Sequence, residues 1–522
     1  MFFLKEMVLL ETFHMNSINK QKYDLFVFIY FSEENVCIKN ITNYFRISAT
    51  SATRNIREVN EDLLTIFKDD RIKIARKNNL YYLQNKTNKP AAYITDKVRL
   101  EYFKDTDQFK IIEALLKKRF HSVKSLANYL HISTPHLYKA IKKINTNLEK
   151  FEVNISFQNP SKFSNFTSKK EMNMRIFLYY YYWHFYKGLE WPFKSLLEPN
   201  VTKSKILKTF TYSQIQRFNY LTSLSNCRIY SRKQHIKLDD ESLIDLTPFK
   251  QVNDFSLALV SDTYKIPEQI LEEEKVFFNF LTRFYIEDCD DKEQKINIAS
   301  QFLNASTPLT IYTKKLLKKL FSAYHIDVPK DVWLLSYYNL NTIFLYLKYI
   351  NLDYSDWYRT RDGLSNQASH NPVLEIVEKK FISYFTNTFT DLPPPFKITD
   401  GMIKYVAHYL HYLIDSNLKV EPIKICVQYG RLFYLNDQIK HTINLTFQSK
   451  NISYVDTPEK ADLIISDSYQ GENDTATYFF LYDTNDESNW KAMITTIKKM
   501  FYKKVFMTTE RLEKKPINEI SH

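Results

Sequence analysis

Two segments of this chain superpose without a gap at a shift of 85 residues, and that repeat constrains the fold more than any other feature. The later copy is HSVKSLANYLHISTPHLYKAIKKINTNLEKF, residues 121–151, and the earlier one is IKNITNYFRISATSATRNIREVNEDL, residues 38–63. Asn43-Tyr44 falls on Asn128-Tyr129 and Ile47-Ser48 on Ile132-Ser133. Ala52, Ile56, Val59 and Leu63 fall on Leu137, Ile141, Ile144 and Leu148, and Asn60 on Asn145.

Each copy reads as a helix, a tight turn and a second helix. In the later copy Val123, Leu126, Ala127 and Leu130 form one apolar stripe at spacings of three and four. The turn is His131-Ile132-Ser133. Thr134 or, alternatively, Ser133 caps the next helix, with Pro135 at its first position, where no N–H is needed. That helix buries Leu137, Ile141, Ile144 and Leu148 and shows His136, Tyr138, Lys139, Lys142, Lys143 and Asn147. A helix backed by an apolar stripe and displaying Lys, His and Asn suits a DNA major groove, with Ser133 and Thr134 at its entry. A plain helical hairpin with a solvated basic face gives the same pattern once; two copies favour DNA.

The earlier copy shows Ser51, Arg54, Asn55 and Arg57 outward. A helix over 20–32, with Leu25, Phe28 and Ile29 inward, precedes it. RIKIARKNNLYYL, residues 71–83, follows it. Ile72 and Ile74 alternate with charge, Lys77-Asn78-Asn79 supplies a turn, and Leu80–Leu83 forms a second strand. This hairpin reads as a wing, from which Lys73, Arg76 and Lys77 reach phosphate or a minor groove. A solvated hairpin is the alternative. In the second unit 107–120 gives the lead helix and VNISFQ, residues 153–158, a weaker wing strand.

Charge follows the repeat. The net charge is +13, yet residues 1–160 hold 26 Lys+Arg against 17 Asp+Glu, so +9 of it lies with these two units. Five glycines in 522 residues leave no glycine-rich phosphate loop, which opposes a nucleotide-driven motor or dinucleotide enzyme. Four dispersed cysteines without a CxxC pair suit a reducing cytosol and oppose a zinc finger. The most apolar run, residues 176–186, is about half of the ~20 residues a spanning helix needs. The first 13 residues carry Lys5, Glu6 and Glu11, which makes a poor signal peptide and a plausible short amphipathic helix. The expected location is the cytoplasm, with no membrane partner, no cofactor and no metal. His408 and His411 share a helix face but lack an evident third ligand.

The expected fold is multidomain and mainly α. Winged helix-turn-helix units span 1–86 and 98–165. Two helical bundles follow at 168–300 and 301–418, with a break near 290–306. A small α/β domain spans 420–507 and a mobile polar tail 508–522. Helices are expected at 170–188, 201–226, 268–287, 309–324, 331–350, 372–388 and 398–416, and the aromatic cluster of Ile176, Tyr179, Tyr180, Trp183 and Tyr186 reads as core. Strands are expected at 423–430, 451–456, 461–467 and 475–483, before a closing helix at 487–504.

In the paired NYF-R-IS and NYL-H-IS turns, in RIFLYYYYWHFYKGLEWPF (175–193) and in this order of domains, the chain resembles the Mga/RofA/AtxA family of virulence transcription regulators of Gram-positive bacteria. The resemblance implies that the middle is two phosphotransferase-system regulation domains and the end an enzyme IIB-like domain that supports homodimers. It implies histidines phosphorylated by the histidine phosphocarrier protein. His184 and His235 are the candidates in the first half of the middle, His325 and His370 in the second. A phosphohistidine adds about two negative charges, enough to shift an interface lined by Arg or Lys. An active enzyme IIB carries a cysteine in the turn after its first strand. Here that turn reads Gln428-Tyr429-Gly430-Arg431, and Cys426 falls inside the strand, so no phosphoryl transfer is expected through it. The reading is a dimeric transcription activator on double-stranded DNA, and not an enzyme. The alternative is an RNA-binding antiterminator, which the winged helices oppose because A-form RNA offers no accessible major groove.

Overall fold

The computed structural model describes residues 15–32, 36–158, 164–193, 209–259, 266–350, 392–417, 421–430, 434–447, 451–468 and 476–513. The expectations for residues 1–13, for the helix at 372–388 and for His370 lie outside these, as do the side chains of His408 and His411. The described residues are mainly helical and divide into two compact units, Met1–Thr310 with Tyr338–Leu364, and Ile311–Tyr337 with Ser365–His522. No helix among them is long and apolar enough to cross a membrane.

The first unit opens with α1 (Ser17–Phe31), β1 (Val36–Cys37), α2 (Ile38–Phe45), α3 (Ala49–Phe67), β2 (Ile72–Lys77) and β3 (Leu80–Asn85). Leu25, Phe26 and Ile29 of α1 pack on Ile41, Ala52, Ile56, Val59 and Leu63. The strands form an antiparallel sheet ordered β1-β3-β2. Lys77 belongs to the strand, and the turn is Asn78-Asn79 alone. Both have positive φ (49° and 63°), as a two-residue hairpin that follows strand twist requires. The pairing of Val36 with Tyr81, across a long gap in sequence, was not expected.

Next come α4 (Ala91–Lys104), α5 (Asp107–Lys117), α6 (Val123–Leu130), α7 (Thr134–Leu148), β4 (Val153–Ile155), β5 (Phe166–Ser168) and α8 (Glu171–Tyr186). β4 and β5 pair antiparallel, so the hairpin extends past the expected boundary at 165. α8 is not simply the start of a separate bundle. Its Phe177 lies against Phe151 and Phe166, and its Tyr181 and Phe185 against Phe109. Its other side meets later helices through Tyr179 on Tyr285 and Trp183 on Tyr220. A helix buried on both sides must be apolar all round, which explains the unbroken aromatic run.

α9 (Tyr212–Asn226) runs into one π-helical turn, Cys227–Ser231, and is followed by α10 (Asp240–Gln251), α11 (Glu268–Tyr285) and α12 (Lys292–Ala305). α12 occupies the stretch expected as a break. Asp291 and Gln294 form a reciprocal capping box there, at 2.8 Å in each direction. α13 (Pro308–Ala323) and α14 (Lys330–Tyr349) follow, and the division between units falls within them rather than at residue 300.

In the second unit α15 (Asp400–Asn417) precedes β6 (Ile423–Gln428), α16 (Leu435–Thr446), β7 (Ile452–Tyr454), β8 (Leu463–Ser466), β9 (Thr477–Phe480) and α17 (Glu487–Glu513). The four strands are all parallel, in the order β7-β6-β8-β9. Ile423, Ile425, Leu463 and Ile465 on one face pack with Ile439, Ile443, Met493 and Ile497 of the two helices. α17 continues to Glu513, past the expected start of a tail at 508.

Candidate nucleic-acid interface

The turn between α6 and α7 is fixed by local hydrogen bonds. Ser122 and Ser125 form a capping box at the start of α6. At its end His131 takes a left-handed conformation (φ 56°), and the Ile132 N–H donates to Ala127 O at 3.1 Å. Ser133, rather than Thr134, caps α7. Its Oγ accepts from the His136 N–H at 3.3 Å, which makes Thr134 the first helical residue and Pro135 the second. Proline fits there equally well, since none of the first four N–H groups has an intrahelical acceptor.

α7 buries Leu137, Ile141, Ile144 and Leu148. On the other side Tyr138, Lys139, Lys142 and Lys143 are exposed, while Asn147 is half-buried. α7 contains no acidic residue, and the three lysine ammonium groups have no side-chain partner among the described residues. His136 differs. Its Nε2 lies 2.7 Å from Asp107 Oδ2 at the start of α5, so this ring is held at the edge of the face.

α2 and α3 repeat the geometry. Arg46 is left-handed (φ 53°) where His131 is, and Ser48 caps α3 by accepting from the Ser51 N–H at 3.1 Å. Ser51 is half-buried. Arg54 and Arg57 are exposed, but each faces an acid one turn on, Glu58 at 3.8 Å and Glu61 at 3.7 Å. Asn55, expected outward, is buried. In the wing Lys73 and Lys77 are exposed. Arg76 Nη2 donates to Asn79 Oδ1 at 2.7 Å and lies over the Tyr81 ring, so it braces the hairpin tip. The electrostatic contrast is plain: α7 presents unopposed cations, whereas α3 presents cations matched by neighbouring carboxylates.

Sequence reasoning passed over one feature of this surface. Tyr129 is exposed, with the Lys118 ammonium 4.0 Å from its ring centre and Phe120 beside it. Its repeat mate Tyr44 is also exposed, stacked on Phe28. The signal was the matched Asn43-Tyr44 and Asn128-Tyr129 pairs.

The histidines occupy different surroundings. His184 on α8 is half-buried. Its Nε2 accepts from Arg99 Nη1 at 3.0 Å, and its carbonyl accepts from Arg99 Nη2 at 2.8 Å. Burial, then the Arg99 charge, holds its pKa well below the ordinary value of 6.5. His235 adjoins a buried ion network of Glu171, Arg175, Arg228 and Glu274, with Nδ1 3.8 Å from Glu274 Oε1. His325 is exposed and left-handed (φ 49°) just past α13. Cys426 is buried within β6, and burial raises its thiol pKa.

Residues 95–182 match the family of the Mga helix-turn-helix domain. The matched stretch runs from α4 through α7, β4 and β5 into α8. It supports membership of a Mga-like regulator family and, with that, a DNA-binding transcription regulator. A search of the curated proteins returned no match.

Proposed function

We propose that this Mga-like regulator is a sequence-specific transcription activator that docks α7 in the major groove of duplex DNA. The observation that carries the reading is the face of Lys139, Lys142 and Lys143. Nothing on α7 or among the described residues neutralises it, and it lies within the stretch that matches the family. Cations of this kind release counterions when they meet phosphate, so they set the salt dependence of binding. Tyr138 and the α7 entry at Ser133 and Thr134 contact bases or phosphate. α3, with Arg54 and Arg57 already facing acids, contributes a weaker contact, supported by Ser51 and by Lys73 and Lys77 of the wing.

The test is a salt-titrated mobility shift on AT-rich promoter duplex, wild type against Lys139→Ala/Lys143→Ala, with hairpin RNA as competitor. The variant is expected to bind more weakly, with a salt slope lower by about one unit per lost phosphate contact. An unchanged slope in a folded variant sinks the assignment, and preferential binding of the hairpin RNA turns the reading toward an antiterminator.

The reading extends to regulation on the strength of the family resemblance. The protein acts in the cytoplasm as a homodimer through its C-terminal unit, where Leu445 stands exposed on α16. It switches virulence or surface-protein genes according to phosphorylation by the histidine phosphocarrier protein. His235 and His325 suit that role better than His184, whose Nε2 is engaged by Arg99. Phosphotransfer from the carrier to wild type, His235→Ala, His325→Ala and His370→Ala distinguishes them. Full labelling of all four proteins removes these histidines from the mechanism.

A further inference from the structure

The lead helix of the second winged unit is held from outside that unit. α5 ends at Lys117, and the Lys118 N–H that closes it donates to Ala114 O at 3.1 Å. The last carbonyls of a helix have no intrahelical donor. Two of them, Leu116 O and Lys117 O, accept from Arg232 Nη2 at 2.6 and 3.1 Å, although Arg232 lies 116 residues beyond Leu116 in the chain. A guanidinium there meets the negative end of the helix dipole, and its charge strengthens both bonds. α5 in turn packs against α6 and α7. Its Asp107 holds the His136 ring of α7 at 2.7 Å.

Arg232 is itself aimed by the helices that follow the winged units. It comes directly after the π-helical turn Cys227–Ser231, and its N–H donates to Cys227 O at 3.0 Å. Such turns are rare and occur mostly at functional sites. Within this one Arg228 makes a forked pair with Glu171 of α8, at 2.7 and 2.5 Å. Residues 233–239, which form neither helix nor strand, are then pinned by side chains of α8 and α11. Gln234 O accepts from Arg175 Nη2 at 3.3 Å. The Ile236 N–H donates to Glu274 Oε1 at 2.9 Å, and the Leu238 N–H to Glu273 Oε2 at 2.8 Å. We propose that Arg232 is a positioning residue: through its hold on α5, the helices α8–α11 set the pose of α7 on DNA. The proposal rests on the DNA-binding function proposed above.

Every link of this path is a hydrogen bond or a packed contact, and all of them lie within one compact unit. Energetic coupling is carried by contiguous groups of this kind. The strap is held by acidic side chains rather than by a strand partner, so its place follows the charge and packing around Glu273 and Glu274. Whatever moves the strap moves Arg232 and with it the end of α5. The interior between α5 and α7 is close-packed, with Phe109, Ile112 and Leu115 buried, so it passes a displacement on rather than absorbing it. Arg232 therefore acts through α5 and not by touching DNA.

The experiment compares the full chain with Arg232→Ala, Arg232→Lys, Glu273→Ala and Arg232→Ala/Glu273→Ala. Duplex affinity is read by salt-titrated mobility shift, and the α5–α7 contact by the His136 ring resonances of histidine-labelled protein. Arg232→Ala is expected to bind roughly fivefold to tenfold more weakly and to shift the His136 signals. Its salt slope should stay that of wild type, because no phosphate contact is lost. Lysine keeps the charge without the fork and should restore part of the affinity. Glu273→Ala should give a smaller loss, and the double variant should bind no more weakly than Arg232→Ala, because both act on one path. Wild-type affinity or unmoved His136 signals in Arg232→Ala overturn the proposal. A slope lower by about one unit overturns it in favour of a direct phosphate contact. Additive losses in the double variant overturn it in favour of a local brace. Should Arg232→Ala fail to fold, Glu273→Ala decides alone, and wild-type affinity with unmoved His136 signals overturns the proposal. Wild type that binds no duplex fails the DNA-binding function itself, while the His136 signals still test the hold of Arg232 on α5.

Discussion

Asn145 grips the main chain of Ile155 on both of its polar groups. Nδ2 donates to the carbonyl oxygen at 3.1 Å, and Oδ1 accepts from the N–H at 2.8 Å. Eighty-five residues earlier Asn60 does the same to Ile74, at 3.0 and 2.7 Å. In each unit the asparagine sits on the second helix of the helix-turn-helix and the isoleucine on the strand that follows. The side-chain amide imitates the edge of a β-strand and so fixes the wing against the helix proposed to read DNA.

Asn145→Ala is therefore expected to lose two hydrogen bonds and leave two half-buried main-chain groups unsatisfied, at about 1–3 kcal/mol. Asn145→Asp keeps the acceptor alone and should fall between. Urea unfolding and hydrogen exchange of the Ile155 amide measure this. DNA binding should weaken with no change in salt slope, because no cation is removed. Wild-type protection of the Ile155 amide in the alanine variant would show the clamp to be idle.

The clamp marks where sequence reasoning succeeds and where it stops. The alignment of Asn60 with Asn145 was visible, but nothing in the string says what an asparagine holds. The stripe Leu137, Ile141, Ile144 and Leu148 was legible because helical periodicity maps directly onto burial. The cap was left between Thr134 and its alternative Ser133, because both carry a hydroxyl and only helix register, which selects Ser133, separates them. β1 and β5 are too short to show alternation, and their partners lie far along the chain. α10 was hidden by Pro248 within it, and α12 by its polar first turn. Asn55 was expected outward from residue type, yet helix geometry turns it inward.

The network of Glu171, Arg175, Arg228 and Glu274 sets up a second expectation. Arg175 bonds Glu171 and Glu274 at 3.0 Å each, and Glu274 is almost wholly buried. Arg175→Met leaves Glu274 with the Ile236 N–H and no facing guanidinium. Removing one partner of a buried pair costs about 3–5 kcal/mol. Arg54→Ala, from an exposed pair, should cost within about 0.5 kcal/mol. Parallel denaturation of both variants decides, and equal small losses would show the network to be solvated.

His184 gives a pH dependence of known sign. Its folded pKa lies well below 6.5, through burial and then through Arg99, with Lys187 and Lys150 acting in the same direction. The unfolded chain therefore binds a proton that the folded one refuses. The contribution is fully present above pH 6.5 and is lost as pH falls below it, by at most about 1.4 kcal/mol per pH unit for one proton. His184→Gln keeps an acceptor for Arg99 and should flatten the thermal stability profile between pH 6.5 and 5. A profile that stays as steep in the variant assigns the dependence to other groups.

Cys426 should behave as an inert core thiol. It lies within β6, and burial raises its pKa, so at neutral pH it is protonated and shielded. The turn beyond it is also engaged. The Tyr429 N–H donates to Asn436 Oδ1 at 2.8 Å, and the Gly430 N–H donates to the Asp467 carboxylate at 3.1 Å. Main-chain donors that would cradle a phosphoryl group thus already meet side-chain oxygens of the same unit. Alkylation of native protein at pH 7.5 should reach the half-buried Cys37 and Cys227 well before Cys426. Incubation with a labelled phosphodonor should leave Cys426 unmodified. A cysteinyl phosphate there would overturn the expectation and give the C-terminal unit a catalytic role.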